Sequence, residues 1–314
     1  MREQLALLPD ASVQCVVTSP PYWGLRDYGI EGQLGLAQTP QGYVDSMVEA
    51  FSQVRRVLRP DGVLWLNLGD SYQNAKGQAG GIDLKQKHRR HGLRPQDVSV
   101  PGLKPKDLVG IPWMVAFALR TDGWWLRRDQ IWHKPNAHPE PVTDRTSTAH
   151  EYVFLLTKSR RYFYDAKAIG DPPTAAMLRQ VEDGYKGEAR YDYAANGAPN
   201  PSATKLRVIQ SARRRLSRDG VLWVNSRSVW SIQTVNGSEY EHAAVMPEAL
   251  ASKCIKSGSR LGDTVLDPFC GSGTTGQVAI QLGRSFIGIE LNPQYAELAR
   301  KRIGGAAPLF AAEA

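Results

Sequence analysis

The residues best suited to chemistry lie in two short segments, Thr18-Ser19-Pro20-Pro21-Tyr22-Trp23 and Asp267-Pro268-Phe269-Cys270-Gly271-Ser272-Gly273-Thr274-Thr275. In the first, the Ser19 hydroxyl and the Pro20 carbonyl are acceptors on adjacent residues. Pro21 stiffens the turn, and Tyr22, with Trp23 beside it, supplies a flat ring. Such a set suits an aromatic amine, whose nitrogen is a poor nucleophile because its lone pair is delocalised into the ring. Two acceptors on its N–H groups draw that nitrogen toward a tetrahedral state and free the pair for direct attack on an electrophilic carbon. The aromatic side chain can stack on a base swung out of a duplex. No covalent intermediate is needed. Methylation at a ring carbon would require a thiolate, and none of Cys15, Cys254 and Cys270 sits in a Pro-Cys loop.

The second segment follows an apolar strand and opens a helix, so its glycines let the backbone approach a ligand at the carboxyl end of a sheet. Gly288-Ile289-Glu290 lies one helix and one strand later, which places a carboxylate where it can accept hydrogen bonds from both hydroxyls of a ribose. Any adenosine-bearing cofactor fits this pattern, and a glycine used only for tight helix packing is the competing reading. A nicotinamide cofactor is disfavoured because the full GxGxxG spacing is missing: Gln277 stands where the third glycine would be sought. A sulfonium methyl donor is the better match.

Regular elements are placed to carry both segments. Val13 to Thr18 is a β-branched run halted by Ser19-Pro20-Pro21, and reads as a buried strand ending in a loop. Residues 40–58 space Val44, Met47, Val48, Phe51, Val54 and Leu58 as one helical face. Arg59-Pro60-Asp61-Gly62 should stop that helix before a strand at 63–68. Such a strand, helix, strand unit favours a parallel sheet with right-handed crossovers. A helix is predicted at 111–122, strands at 124–132 and 152–157, and a further short aromatic strand at 162–164. Toward the end come a helix at 247–256, a strand at 264–266, the glycine turn, a helix at 274–282, a strand at 285–290 and a helix at 293–301. Trp124, Trp125 and Trp132 are predicted to be core residues of their strand. Asp70 is explained by turn formation as well as by a place beside the cleft.

Two stretches break this order. Residues 73–106 are rich in glycine, proline and basic side chains, with Lys85, Lys87, Arg89, Arg90 and Arg94 close together, and predict a long loop. Residues 171–217 are polar and carry Lys205, Arg207, Arg213, Arg214 and Arg215; they predict an inserted module or a helical basic arm with little core of its own. The formal charge of +8 suits a polyanionic partner without identifying one. Three widely spaced cysteines suggest neither disulfides nor zinc and fit a reducing, cytoplasmic setting. No stretch reaches the roughly 18 apolar residues of a spanning helix. His133, His138, His150 and His242 share no metal-ligand spacing, so no catalytic metal is expected.

These residues bring the sequence to a known family: it resembles the DNA amino-methyltransferases of restriction-modification systems, in the β arrangement where the catalytic loop precedes the cofactor segment. Ser19-Pro20-Pro21-Tyr22 resembles their catalytic tetrapeptide, and Asp267 to Thr275 their DPFxGxGTT segment. His242-Ala243-Ala244-Val245-Met246-Pro247 is similar to the HxAxFP stretch, with Met246 in place of phenylalanine, and Trp132-His133-Lys134-Pro135-Asn136 also matches. The resemblance implies a Rossmann-like α/β fold with a mostly parallel sheet and helices on both faces, S-adenosyl-L-methionine as cofactor, and duplex DNA as partner. It implies Ser19, Pro20, Pro21 and Tyr22 as catalytic, Asp267, Phe269, Gly271 and Gly273 along the methionine side, and Glu290 on the ribose. Thr18, Cys270, Ser272, Thr274, Thr275 and Asn292 complete the expected cofactor set.

Serine at the first catalytic position resembles the cytosine-N4 members more than the adenine-N6 members. Family members often have a strand and a Gly-Asp turn before the catalytic helix, whereas this sequence starts within that helix at about Arg2; either the start is shortened or another strand replaces it, and a slightly open pocket is expected. The two basic stretches become DNA contacts, giving five regions: 1–72 and 226–314 as the catalytic and cofactor halves, 109–170 continuing the sheet, 73–108 as a basic loop, and 171–225 for target recognition. Nucleoid association through DNA, a cognate restriction endonuclease and a homodimer are further expectations. Adenine-N6 methylation, methylation of RNA or a protein amide, a turnover-deficient cofactor-binding module and a nicotinamide oxidoreductase are the competing readings.

Overall fold

The computed structural model describes residues 1–25, 29–74, 95–183, 201–235 and 245–306, with the side chains of 201–205 excepted. Of the predicted DNA contacts, Lys85, Lys87, Arg89, Arg90 and Arg94 lie outside the described residues, as do the Lys205 side chain and His242. The chain divides into two compact units, Met1–Tyr164 with Ser228–Ala314, and Asp165–Arg227.

The first unit is built on a seven-stranded sheet. A short helix α1 (Arg2–Ala6) precedes β1 (Val13–Thr18), whose six residues are all buried. Helix α2 (Pro40–Val57) starts at Thr39, whose hydroxyl accepts the Gly42 N–H at 3.1 Å, with proline in the first turn where its missing donor does no harm. Of the predicted face, Val44, Met47, Phe51 and Val54 are buried and Val48 is half-buried, Tyr43 joins them, and Leu58 falls in the next strand. The chain then enters β2 (Leu58–Leu68) directly. Here Arg59-Pro60-Asp61-Gly62 does not separate helix from strand: Val13 pairs with Leu58 and Cys15 with Val63, so the tetrapeptide is a bulge inside the strand. Helix α3 (Ile111–Thr121) leads to β3 (Trp125–His133), β4 (His150–Thr157) and the three-residue β5 (Val229–Ser231).

Helix α6 (Glu248–Gly258), β6 (Thr264–Asp267), α7 (Thr274–Gln281), β7 (Ser285–Gly288) and α8 (Pro293–Gly304) complete the unit. The strand order is β5-β3-β4-β2-β1-β6-β7. Every pairing is parallel except those of β4, which runs against both β2 and β3. This reversal matters for the site: the amino end of β4 lies at the sheet edge where the other strands have their carboxyl ends. The predicted strand at 162–164 does not form; the Phe163 N–H instead donates to the Asp61 carbonyl at 2.9 Å. Trp124 and Trp132 are buried as expected, but Trp125 is 46% exposed because it opens β3 on the opposite face.

The second unit is helical, with only a small core. Helices α4 (Ala175–Asp183) and α5 (Pro201–Asp219) close a small core of their own from Val181, Ile209 and Ala212, with Met177 and Leu222 packed against it. The two helices meet through residues at helical spacing, Met177 and Val181 on α4 and Ile209 and Ala212 on α5, while Leu178, Val208 and Leu216 are exposed.

Candidate active site

Thr18 ends β1 and Asp267 ends the neighbouring β6, so the two strand-end loops start side by side. The Thr18 hydroxyl donates to Asp267 Oδ1 at 2.6 Å, and the Phe269 N–H donates to the same oxygen at 3.1 Å. Thr18 is fully buried and does not reach the cavity; it holds Asp267. Burial pushes the Asp267 carboxyl up to about 6, against the hydrogen bonds from Thr18, Phe269 and Thr275 that favour its charged form.

A cavity of about 830 Å³ opens over these strand ends. It takes in all of Ser19-Pro20-Pro21-Tyr22 and, from the glycine turn, every predicted residue except Gly273, together with Glu290 and Asn292. Glu290 ties the turn to the end of β7: Oε2 accepts the Gly271 N–H at 2.7 Å and Oε1 the Asn292 N–H at 2.8 Å. Asn292 itself caps α8 through the Gln294 N–H. The two glycines of the turn have different duties. Gly271 adopts φ +54° with open space where a side chain would start, whereas a Cβ at Gly273 would lie 2.9 Å from Ala299 on α8. Gly273 is thus required by packing against α8, whereas no neighbour crowds the position of a Cβ at Gly271, which lines the cavity. Thr274 and Thr275 line the wall but are nearly buried; the Thr274 hydroxyl accepts from Arg302 at 2.9 Å.

An adenosine carrying a cationic amino-acid tail fits these surroundings. Ile289, Leu291 and Tyr295 line one part of the cavity, a backbone cradle without a Cβ lies at Gly271, and two carboxylates, Asp267 and Glu290, face the same space. The same two carboxylates would repel a pyrophosphate. Burial keeps the Cys270 thiol well above its ordinary range, so it supplies no thiolate.

On the other side of the cavity the catalytic-type loop is fixed by its neighbours. Tyr43 on α2 donates its hydroxyl to the Pro21 carbonyl at 2.9 Å. The Tyr22 ring packs against Gly69, where a Cβ would come within 2.6 Å of Cε2. Gly69→Ala is therefore expected to leave the fold intact while displacing Tyr22, with a fall of tenfold or more in turnover; unaltered turnover in a folded variant would show that the ring position is unimportant.

The Tyr22 hydroxyl donates to Glu151 Oε2 at 2.7 Å and accepts from Asn67 Nδ2, also at 2.7 Å. Ser19 donates to Tyr22 Oη at 3.3 Å, and Lys134 pairs with Glu151 Oε1 while lying 4.6 Å over the Trp132 ring. Asn67, Lys134 and Glu151 all line the cavity, and none was singled out for a role by sequence reasoning. The signal for Asn67 was available: it is the lone polar residue in Val63-Leu64-Trp65-Leu66-Asn67-Leu68 and is only 3% exposed. Its Oδ1 has no hydrogen-bond partner among the described residues. Asp70, by contrast, accepts from Gly110, Ile111 and Ser71 N–H groups and caps α3, so the turn reading holds there.

In the second unit, Arg213 donates twice to the Val181 carbonyl, at 2.9 and 2.8 Å, and Arg215 stacks on Trp223 at 4.4 Å. Arg213 thereby ties α5 to α4, and Arg215 ties α5 to the segment that follows it; Arg207 and Arg214 are exposed on α5.

A mostly parallel, Rossmann-like sheet with one reversed strand and its cavity at the strand ends places this chain among the methyltransferase folds. The family of N6/N4 DNA methylases matches residues 13–301, and the chain belongs to it. It is 44% identical to the type II methyltransferase M.SmaI of Serratia marcescens over 304 residues, covering 96% of this chain and 88% of that one. With M.XycI of Xanthomonas campestris pv. cyanopsidis it shares 43% identity over 301 residues, covering 96% and 84%. Among solved structures, a putative DNA modification methylase of Thermus thermophilus in complex with S-adenosyl-L-methionine superposes with a TM-score of 0.55 at 25% identity over 98% of this chain and 92% of the other. The cytosine-N4-specific PvuII DNA methyltransferase gives a TM-score of 0.60 at 19% identity, over 96% and 83%.

Proposed function

We propose that this protein transfers the methyl group of S-adenosyl-L-methionine to the exocyclic N4 of cytosine at a specific site in duplex DNA. The observation that carries the reading is that Ser19-Pro20-Pro21-Tyr22 and the Asp267–Glu290 cradle open onto one cavity. When bound, the cofactor supplies a sulfonium-activated methyl group. Asp267 and Glu290 hold its cationic tail and ribose, and Gly271 lets the backbone approach. The target base leaves the stack and lies on the Tyr22 ring, a stacking contact worth about 1–3 kcal/mol. Ser19 Oγ and the Pro20 carbonyl accept its amino hydrogens. These groups turn the nitrogen's lone pair toward the methyl carbon.

Serine at position 19 supports cytosine over adenine. Residues 165–227, through Arg207, Arg214 and Lys205, and the basic stretch at 85–94 are proposed to grip the phosphate backbone, and the protein is proposed to act beside a cognate endonuclease. The test is incubation with mixed-sequence duplex DNA and methyl-labelled cofactor, followed by digestion and mass spectrometry of nucleosides. Labelled N4-methylcytosine is expected, with DNA affinity falling steeply as salt is raised. N6-methyladenine in its place would reverse the base, and label appearing only in RNA would overturn the DNA assignment.

A further inference from the structure

We propose that Glu151 is the final acceptor of the proton released on methylation, reached from Ser19 through the Tyr22 hydroxyl; this rests on the reading of the cavity as an amino-methyltransferase site. Three groups form a directed chain: Ser19 donates to Tyr22 at 3.3 Å, and Tyr22 donates to Glu151 at 2.7 Å. The first of these bonds is long, as catalytic hydrogen bonds often are before substrate draws them together. Asn67 braces the chain with the two hydrogens of one amide, donating to Tyr22 at 2.7 Å and Glu151 at 2.8 Å, with Ser19 a longer contact of the same nitrogen at 3.4 Å. The remaining Glu151 oxygen is paired with Lys134, so only Oε2 faces the relay.

The chemistry needs such an outlet. As the new N–C bond forms and the methyl–sulfur bond breaks, the amino nitrogen becomes four-bonded and cationic and must lose one hydrogen. That proton passes to Ser19 Oγ while the serine proton moves to Tyr22 Oη and the tyrosine proton to Glu151 Oε2. The base departs as a neutral secondary amine, Ser19 and Tyr22 are unchanged, and Glu151 holds the proton until solvent removes it; its side chain is 15% exposed. Serine alone is too weak a base to retain the proton. Tyr22 is suited to conduct rather than to keep it, since burial and the adjacent Glu151 hold its phenol well above the usual tyrosine range. Glu151 does not touch the base and acts only through Tyr22 and Ser19, so it is a positioning residue in this chain.

The experiment is single-turnover methylation of a target duplex by the full chain, with DNA and S-adenosyl-L-methionine affinities measured separately on the same preparations. Glu151→Gln is expected to lower the methyl-transfer rate constant about 100-fold, the usual range for a lost base, with both affinities within about threefold of wild type. Tyr22→Phe, which keeps the ring and breaks the relay, should lose a similar factor, and the double variant should fall no further than either single one. Formate or acetate in the buffer should restore a Glu151→Ala variant, which a purely structural role would not allow. Additive losses, an undiminished rate in Glu151→Gln, or loss of DNA and cofactor binding together with rate would overturn the relay. If Glu151→Gln fails to fold, Tyr22→Phe decides alone: full activity there removes the proposal. A wild-type protein that labels no nucleic acid overturns the underlying reading, and the relay with it.

Discussion

Tyr22→Ala is expected to remain folded and to bind S-adenosyl-L-methionine normally while losing about 10³- to 10⁴-fold in single-turnover methylation of DNA. The estimate combines about 1–3 kcal/mol for a base stacked on an aromatic ring with about 1 kcal/mol for each hydrogen bond removed from the polar cluster. Cofactor binding is spared because none of the bonds that set Asp267 and Glu290 involves Tyr22: they come from Thr18, Phe269 and Thr275 for one and from Gly271 and Asn292 for the other. The loss therefore belongs to the base and its orientation, and falls on the chemical step. Quenched-flow measurement with methyl-labelled cofactor reads that step directly. Turnover equal to wild type would remove Tyr22 from the active site, and a parallel loss of cofactor affinity would make it a structural residue of the shared cavity.

How far the site could be read in advance depended on whether a residue's neighbours in the chain are also its neighbours in space. Ser19 to Tyr22 and the turn from Asp267 to Thr275 each follow a strand directly, so proline and glycine placed them at a sheet edge from local rules alone. The register of β1 against β6 then brings them together, and that parallel order was legible from alternating strands and helices. Glu151 was not legible. It reaches the site only because β4 runs antiparallel between β3 and β2, which turns the start of a strand toward the carboxyl ends of its neighbours. Nothing in His150-Glu151-Tyr152-Val153-Phe154 announces that reversal. Gly273 shows the opposite failure: the glycine is required, but by Ala299, a residue on a helix that a turn pattern does not report. The bulge at Arg59-Pro60-Asp61-Gly62 carries the same residues as a boundary, because proline and glycine punctuate both turns and bulges.

Asp267→Asn should separate stability from function, in opposite directions. The wild-type carboxyl has its usual value near 3.8 in the unfolded chain and about 6 in the folded protein, with burial as the leading cause. Between these two values the unfolded chain releases the proton and the folded protein retains it, so stability falls as pH rises through that window and stays lower above about 6. The difference is about 3 kcal/mol at neutral pH. Asparagine cannot ionise and can still accept from Thr18 and Phe269 through its amide oxygen, so the variant is expected to melt higher at pH 7.5, by up to about 5 °C. Its advantage should shrink as pH is lowered toward about 4.

Cofactor affinity moves the other way. An ammonium or sulfonium beside the ionised carboxylate favours the charged form and repays part of its burial, so wild-type affinity should rise between about pH 5 and 7 with proton release on binding. The variant should bind at least tenfold more weakly at pH 7.5 and lose that pH dependence, because the charge that answers the ligand's is gone. Calorimetric titration across this range, in buffers of different ionisation enthalpy, measures affinity and proton count together, and thermal melts of the same samples measure stability. A variant that binds as tightly as wild type, or melts lower at pH 7.5, would mean that Asp267 is a hydrogen-bonded strut for the glycine turn. The buried charge at this strand end would then serve the fold, and Glu290 alone would face the cation.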